Sequence, residues 1–366
     1  MIDLDGVLGR RLAAQYLTGA PHASVADAVR SSLGVQCQDM PLARFSLGRR
    51  TGLTDAAVQA QLATGEVVRT HVLRATWHWV AAADVRWLLA LTAPKVESGF
   101  GARHRSLGIT DAVRDAAFAV LERVLAGGVH LTRKELQPRL PVAGLALPGQ
   151  ATGHLLQLAE LRGLVVSGTP RPGGEHTYAL MDEVVPAAPA LDREEAVTRL
   201  VDGFVAGHGP AAVKDVQRWA TLTKTEITRA LAAGEASGAY EAGEVDGVRL
   251  WWRAGAPDHG TDGAWLLPTF DEAFLSHDRP RFPRPAGHPL GEQHLNAAEA
   301  GAGVIVVDGR DVGQFRRRLD RGRLRVRVEP ADGATEAERA ASARAALQLG
   351  EHLGLEPEVE VHSARP

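Results

Sequence analysis

Apolar residues recur at helical spacing in three successive parts of the chain, and each part ends in a stretch that alternates as strands do. The helices predicted for the first part cover residues 8–18, 24–33 and 54–64. Ser24 and Thr54 are suitable N-caps for two of them, since their side chains can accept from the first free backbone N–H groups. The alternating residues 67–80 predict a pair of strands directly afterwards.

The second and third parts repeat this order. Their predicted helices cover residues 110–126, 132–140, 150–162, 192–207, 210–219 and 223–236. Residues 164–180 and 240–255 each read as two strands joined by a turn. Three helices followed by a hairpin is the plan of a winged-helix domain, in which one helix can enter the DNA major groove. Such domains also serve as protein–protein modules, and for one unit alone the two interpretations are about equal.

Beyond residue 256 the pattern changes to short strands and one late amphipathic helix. AWLLPTF, GVIVVDGRDVGQF, GRLRVRVEP and PEVEVHS are the predicted strands, and residues 334–355 form the predicted helix. Residues 270–296 are rich in Pro, Gly and His and predict an irregular segment. The pattern therefore predicts an α+β protein whose units cover residues 1–105, 106–188, 189–256 and 257–366.

Composition adds several constraints. The 366 residues are 45% hydrophobic and 23% charged, which is typical of a soluble multi-unit protein. A single cysteine excludes an internal disulfide framework and a cysteine-rich zinc site. The sequence has neither a long apolar run nor a secretion signal at its start, so we expect a cytoplasmic protein without a membrane segment.

The net charge of −3 does not by itself indicate nucleic acid, but the cations are unevenly placed. Arg133 and Lys134 lie in the second unit, Lys214 lies in the third, and seven arginines occur between residues 316 and 327. A solvated strand face would explain part of that arginine run. Three tandem units that each carry cations nevertheless favour DNA as the partner.

The stretch LGVQCQD contains the candidate active site. If Gly34 ends the preceding helix, an extended segment would direct Gln36 and Gln38 to the same side, whereas on a helix they would diverge by about 200°. The two amides could hold a water molecule, or they could only satisfy backbone groups at a helix end. We interpret Asp39 as a turn-forming residue rather than an auxiliary carboxylate, and Cys37 as a packing residue.

The first hairpin, RTHVLRATWHWV, supplies candidate DNA contacts. Alternation directs Thr70, Val72 and Thr76 to one face and His71 and Trp77 to the other. The side chains of His71, Arg74 and His78 are candidates for phosphate contacts, and Trp77 could stack on a base or sugar. Trp77 could equally be a core aromatic residue beneath the hairpin.

Several of these segments together resemble the AlkZ/YcaQ family of winged-helix DNA glycosylases. They are LGVQCQD, RTHVLRATWHWV, DVQRWATL, LLPTFDEAFLSHDR and VVDGRDVGQFRR. The resemblance covers nearly the whole chain. It implies three tandem winged helices and a C-terminal β-barrel-like domain in a C-shaped clamp. It also implies hydrolysis of the N-glycosidic bond of N7-alkylated purines, including bulky adducts and, in some members, interstrand crosslinks.

The family's catalytic signature is Gln-x-Gln in AlkZ-like members, and Gln36 and Gln38 match it by position. The residue between them is commonly aliphatic in the family, and here it is Cys37. AlkZ-like members are associated with self-resistance in producers of DNA-alkylating natural products.

We therefore expect a monofunctional DNA glycosylase that acts as a monomer on double-stranded DNA with alkylated purines, without cofactor or metal. The expected catalytic residues are Gln36 and Gln38. The expected DNA contacts are His71, Arg74, Trp77, His78, Arg49, Arg133, Lys134, Lys214, Arg316 and Arg317. The alternatives are a non-catalytic winged-helix regulator of transcription and a metal-dependent hydrolase.

Overall fold

The computed structural model describes residues 2–145, 147–171, 174–279, 281–290 and 301–362. Within these ranges the chain has a mixed α+β fold, with helices packed on four separate sheets. Three helix-rich units follow one another, each with its own small antiparallel sheet, and a five-stranded sheet with a long helix completes the chain. In the described ranges, no helix is both long and apolar enough to cross a membrane.

The first unit contains six helices and a three-stranded sheet of order β1-β3-β2. Its helices are α1 (Leu4–Ala14), α2 (Val25–Ser31), α3 (Met40–Thr51), α4 (Asp55–Leu62), α5 (Val85–Gly99) and α6 (Gly101–Ser106). Its strands are β1 (Val35–Gln36), β2 (Val67–Val72) and β3 (Thr76–Ala81). Ser24 and Thr54 cap α2 and α4 as predicted, and the predicted strand pair is confirmed.

Helix α3 was not predicted, because its residues are buried on nearly every side. A surface helix shows an apolar stripe and a polar face, but the buried positions of α3 include Ser46, Gly48 and Arg50. Gly48 leaves space for His352, and a side chain there would collide with it. Arg50 forms a buried ion pair with Asp271 at 2.8 Å, and Ser46 donates a hydrogen bond to the same carboxylate. These contacts join the first unit to the C-terminal part of the chain.

The second and third units follow the predicted order of helices and strands. The second contains α7 (Asp111–Leu125), β4 (Leu131–Thr132), α8 (Arg133–Leu136), α9 (Pro148–Leu161), β5 (Val165–Ser167), β6 (Thr177–Leu180) and α10 (Met181–Val184). The third contains α11 (Arg193–His208), α12 (Val213–Ala220), α13 (Lys224–Ala236), β7 (Tyr240–Val245) and β8 (Val248–Arg253). The helix predicted over residues 132–140 is shorter than expected: α8 continues only as a 3₁₀ turn.

The C-terminal part has the predicted strands and helix, but the described residues form an open sheet. Its elements are β9 (Ala264–Pro268), α14 (Glu272–Leu275), β10 (Ala302–Val307), β11 (Arg310–Asp320), β12 (Arg323–Pro330), α15 (Glu336–Leu353) and β13 (Pro357–Val361). The strand order β13-β12-β11-β10-β9 has β9 and β13 at its edges, so a barrel-like closure is not confirmed.

The segment predicted to be irregular, residues 270–296, contains the short helix α14, which presents Asp271 and Glu272 to the first unit. The prediction missed this helix, because its two acidic residues are typical of a solvent-exposed turn. Residue 280 and residues 291–296 of that prediction lie outside the described residues.

Candidate active site

The turn after α2 leads into the glutamine segment, residues 35–38, which begins as a strand of the sheet. Helix α2 ends at Ser31, before Gly34, and Leu33 takes the left-handed backbone conformation, with φ of 56°. Its side chain is buried beside Gly203 of α11, where any larger residue would collide with it. Gly34 has another role, because a Cβ atom there would lie 3.1 Å from the side chain of Leu73. The backbone strain at Leu33 is therefore held by packing between units.

Strand β1 begins directly after this turn and pairs with β3, with Val35 opposite Trp79 and Gln36 opposite His78. Val35 and Cys37 both pack into one apolar cluster between α2, α3 and the sheet. Because successive side chains of an extended chain alternate, Gln36 leaves on the other side. Gln36 is 5% exposed, whereas Gln38 is exposed in the bend that precedes α3. That the pair shares one side stays a prediction, because β1 ends at Gln36 and Gln38 lies in the bend beyond it.

The side chain of Gln36 is held by Arg74, from the turn between β2 and β3. A nitrogen of Arg74 lies 2.8 Å from Oε1 of Gln36. Since a guanidinium group only donates, the acceptor must be the amide oxygen, and this fixes the orientation of the amide. That oxygen keeps a second lone pair. The amide nitrogen of Gln36 makes no hydrogen bond to the described residues.

His78 lies beside Arg74 and is neutral. Its Nδ1 donates to the carbonyl oxygen of Thr76 at 3.0 Å, so Nε2 is left as an acceptor, 3.5 Å from a nitrogen of Arg74. Burial, and then the charge of Arg74, lower the pKa of His78 well below its usual 6.5. The predicted phosphate contact of His78 stays a prediction, because its side chain is fully buried in this structure.

Glu272 completes the surroundings of Gln36, and the sequence analysis missed it. Its Oε1 accepts a hydrogen bond from the backbone N–H of Gln36 at 3.0 Å. Its Oε2 accepts from the indole of Trp219 at 2.9 Å and from Ser276 at 2.8 Å. The available signal was only that Glu272 lies in LLPTFDEAFLSHDR, one of the segments that carry the family resemblance.

Asp39 and Cys37 have structural roles. Asp39 is the N-cap of α3: it accepts from the backbone N–H of Leu42 at 3.2 Å, and also from that of Gly301 at 2.8 Å. This agrees with the turn-forming interpretation. Cys37 is fully buried, and burial raises the pKa of its thiol to about 11, so it remains protonated and unreactive.

A cavity of about 10 Å³, the size of roughly one water molecule, lies between the Gln36 segment and the C-terminal sheet. Gln36 and Asp39 border it on one side, and Thr269 and Ala302 border it on the other. Polar groups on both sides make it suitable for a water molecule.

His71 and Trp77 lie on the other face of the sheet, as the alternation predicts. Both contact Glu160 of α9: His71 through Nδ1, and Trp77 through its indole nitrogen at 3.4 Å. The guanidinium of Arg69 stacks on the Trp77 ring at 4.1 Å. Both side chains are thus held by contacts within the protein. Because they lie on the other face of the sheet, the structure does not bring His71 and Trp77 together with Gln36. Their DNA contacts stay predictions.

The remaining candidate contacts are spread over several units. Arg133, Lys134, Lys214 and Arg316 are exposed, whereas Arg49 and Arg317 are partly buried. Lys214 pairs with Asp278 at 2.7 Å, and Lys134 pairs with Glu175 at 3.4 Å. Burial lowers the pKa of Arg317, which lies 4.0 Å from Asp39. Arg317 thus lies beside the residue that directly follows the glutamine pair.

The described residues contain no group of three or more His, Cys, Asp and Glu side chains that could hold a metal ion. The functional groups around Gln36 are instead one guanidinium, one neutral imidazole and one buried carboxylate.

Comparison with known proteins identifies the family of the chain. The family model described as DNA glycosylase AlkZ-like matches residues 29–352. The chain belongs to the AlkZ-like DNA glycosylase family. This glycosylase is 25% identical to a protein named interstrand DNA cross-link repair glycosylase from Streptomyces sahachiroi, over 84% of this chain and 86% of that protein. The solved structure of DNA glycosylase AlkZ from the same organism covers 99% of this chain and 100% of its own, with 20% identity and a TM-score of 0.72.

Membership of this family decides between the functional classes that the sequence left open. The protein is an enzyme, a DNA glycosylase, and DNA is its partner. The interpretation as a non-catalytic transcriptional regulator is therefore wrong. The likeness to the solved structure shows that the two proteins share a fold.

Proposed function

We propose that this glycosylase hydrolyses the N-glycosidic bond of N7-alkylguanine in double-stranded DNA, and that Gln36 and Gln38 hold the attacking water. The observation that carries the proposal is the setting of Gln36. Its amide oxygen is fixed by Arg74 at 2.8 Å, its backbone is held by Glu272 at 3.0 Å, and the next residue of the pair is exposed to solvent.

The chemistry of the substrate explains why two neutral amides suffice. Alkylation at N7 gives the purine a positive charge, so the base leaves as a neutral molecule without protonation by a general acid. The protein must then position water near C1′ and stabilise an oxocarbenium-like sugar. Gln36 has one lone pair left on Oε1 for a water proton, and Gln38 can supply a second acceptor. Uncharged normal purines, which are poorer leaving groups, would not react.

The proposed architecture is a clamp around the duplex. Residues 1–105, 106–188 and 189–256 would be tandem winged helices, and residues 257–366 would close the clamp from the C-terminal side. The small antiparallel sheet that ends each helical unit supports this proposal, as does the shared fold with the Streptomyces sahachiroi protein. The exposed cations Arg133, Lys134, Lys214 and Arg316 would contact DNA phosphates.

Bulky natural-product adducts and interstrand crosslinks are the proposed physiological lesions, in self-resistance or DNA repair. The name of the relative from Streptomyces sahachiroi, an interstrand DNA cross-link repair glycosylase, supports this choice. A water-holding site that requires no general acid would tolerate large groups on the departing base, since that base needs no close contact with a protonating side chain.

The proposal is tested with three duplexes that carry N7-methylguanine, a bulky N7 adduct or an N7-linked interstrand crosslink. After incubation with excess enzyme, alkali converts each abasic site into a strand break. We expect breaks in all three, with the crosslinked strands separating on a denaturing gel. Binding without breaks in any of them would contradict the proposal.

Affinity for undamaged duplex should depend strongly on salt despite the net charge of −3. If about six phosphates are neutralised, the slope of log K against log salt is about −5, so affinity falls roughly 10³-fold between 50 and 200 mM salt. Fluorescence anisotropy measures the slope. Arg316→Gln should make it less steep by about one. A flat response would contradict a clamp lined with cations.

The enzyme should also form no covalent intermediate with DNA. Lys95 is the only lysine in the first 105 residues, and it lies on α5 rather than in the glutamine segment. An amine nucleophile would leave a Schiff base that borohydride converts into a stable adduct. We expect no shifted protein–DNA band after borohydride treatment during turnover, and such a band would replace the water mechanism by a lysine mechanism.

A further inference from the structure

Glu272 connects three parts of the molecule at one buried carboxylate. It is 1% exposed, and its hydrogen bonds reach Gln36 of the first unit, Trp219 of α12 and Ser276 of its own segment. Both carboxylate oxygens accept hydrogen bonds from these groups. Because the carboxylate is buried beneath them, any effect on the reaction must pass through a neighbour.

The hydrogen bond from Gln36 to Glu272 gives a partner to a backbone N–H group that the sheet does not pair. Strand β1 is the edge of the order β1-β3-β2, so its outer N–H groups have no strand partner. The N–H of Cys37 donates to the carbonyl oxygen of Trp77 in β3, at 2.9 Å. The N–H of Gln36 points the other way, as alternation requires, and Glu272 accepts it at 3.0 Å. Glu272 thus stands where a further strand would otherwise bind.

Glu272 also balances the charge that holds the other end of Gln36. Burial lowers the pKa of Arg74, and the charge of Glu272 is the main effect that opposes this. An isolated buried cation is costly, so a nearby carboxylate stabilises Arg74 in its position. Gln36 therefore lies between two opposite charges, with its N–H on Glu272 and its amide oxygen on Arg74.

We propose that Glu272 is a positioning residue for base release: it fixes the backbone of Gln36 and stabilises Arg74 on the amide oxygen of Gln36, so that the remaining lone pair is aimed at the attacking water. The inference rests on the proposed catalytic role of Gln36. Its physical basis is that a misplacement of about 1 Å at a reacting centre can slow a reaction roughly 10²-fold.

The first test is Glu272→Gln. The amide keeps the size of the carboxylate but places N–H groups against the donors of Gln36 or Trp219, and it removes the charge beside Arg74. We expect single-turnover release of N7-methylguanine to slow by about 10-fold to 10²-fold. DNA affinity should be unchanged, since Glu272 is buried away from solvent.

Glu160→Gln is the matched control. Glu160 is also fully buried, also accepts from a tryptophan indole, and lies against the opposite face of the same sheet. The same substitution there should lower stability but leave the rate of base release from bound DNA at the wild-type value. Equal slowing in the two variants would mean that loss of stability, and not positioning, explains the result for Glu272.

A double-mutant cycle with Gln36→Ala decides whether Glu272 acts through Gln36. In the Gln36→Ala background, Glu272→Gln should cause no further slowing, because the group that it positions is gone. The same slowing in both backgrounds would overturn the inference while leaving the proposed function intact. A wild-type rate for Gln36→Ala alone would instead remove the catalytic role of Gln36, and this inference with it.

Ser276→Ala provides a second variant in case Glu272→Gln does not fold. It removes one donor from Oε2 of Glu272 and deletes a single oxygen atom. We expect a smaller slowing of base release, about 2-fold to 5-fold, with unchanged DNA affinity. A wild-type rate for every folded variant among Ser276→Ala and Glu272→Gln would overturn the positioning role.

Discussion

Gln36→Ala is expected to slow single-turnover release of N7-methylguanine by roughly 10² to 10³, the range found when one positioned polar group is lost from a reacting centre. The substitution removes the amide that Arg74 orients at 2.8 Å. Affinity for the same duplex should change little, since Gln36 is 5% exposed and is not a phosphate contact. Rate and affinity are measured on the same DNA with enzyme in excess.

Gln38→Ala is expected to slow release over the same range, although Gln38 is exposed and Gln36 is buried. The double variant should be faster than the product of the two single effects predicts, because residues that hold one water act as a unit. Gln38→Asp should remain active, since a carboxylate can accept the same hydrogen bond from that water and, unlike the amide, can also take its proton. Wild-type rates for both alanine variants would return the pair to a structural role at the helix end.

The second large effect is a loss of stability on mild acidification. Three fully or almost fully buried histidines, His78, His208 and His277, have pKa values below the usual 6.5, chiefly because of burial. The pKa of His208 is lowered to about 3. The unfolded chain binds protons at these positions below pH 6.5, whereas the folded chain does not.

Because only the unfolded chain binds these protons, the protein becomes less stable as the pH falls. The stability contributed by the three histidines is fully present above pH 6.5 and is lost as the pH falls toward their folded pKa values. Each can cost up to about 1.4 kcal/mol per pH unit below that point, so the free energy of unfolding should fall as the pH is lowered from 7 to 5. Urea unfolding at pH 7.5, 6.5 and 5.5 measures this decrease.

His277→Gln isolates one part of the effect. His277 donates from Nε2 to the carbonyl oxygen of His208 at 2.7 Å, and a glutamine amide can replace that donor without titrating. The variant should lose stability less steeply than the wild type as the pH falls. Equal unfolding midpoints at pH 7.5 and pH 5.5 in the wild-type protein would show that these histidines are accessible to protons.

Local pattern in the sequence was sufficient for most helices and strands. The alternation of RTHVLRATWHWV placed His71 and Trp77 on one face of the hairpin and Thr70, Val72 and Thr76 on the other, and the register of β2 and β3 agrees. The lack of a positively charged neighbour in the sequence also made packing the better interpretation of Cys37, which is fully buried. Helices, strands and the face on which a side chain lies depend on neighbours within a few residues, so the spacing of apolar and polar residues predicts them directly.

The contacts of the site residues could not be predicted from local sequence pattern. Glu272 binds the backbone of a residue 236 positions away, and Glu160 contacts a histidine 89 positions away. Nothing in the sequence around either acid shows that it is buried. Helix α3 was missed for a related reason: other elements surround it, so it has no polar face.

The central claim is that the Gln36 and Gln38 pair hydrolyses the bond between the sugar and a cationic base. Its most direct test is mass-spectrometric detection of free N7-methylguanine after single-turnover incubation with EDTA present, for the wild-type enzyme and the double Gln36→Ala, Gln38→Ala variant. We predict stoichiometric release by the wild-type enzyme, release slower by at least about 10² for the double variant at equal DNA occupancy, and none from undamaged duplex. Bound wild-type enzyme that releases no base, or a double variant as fast as the wild type, would contradict the claim.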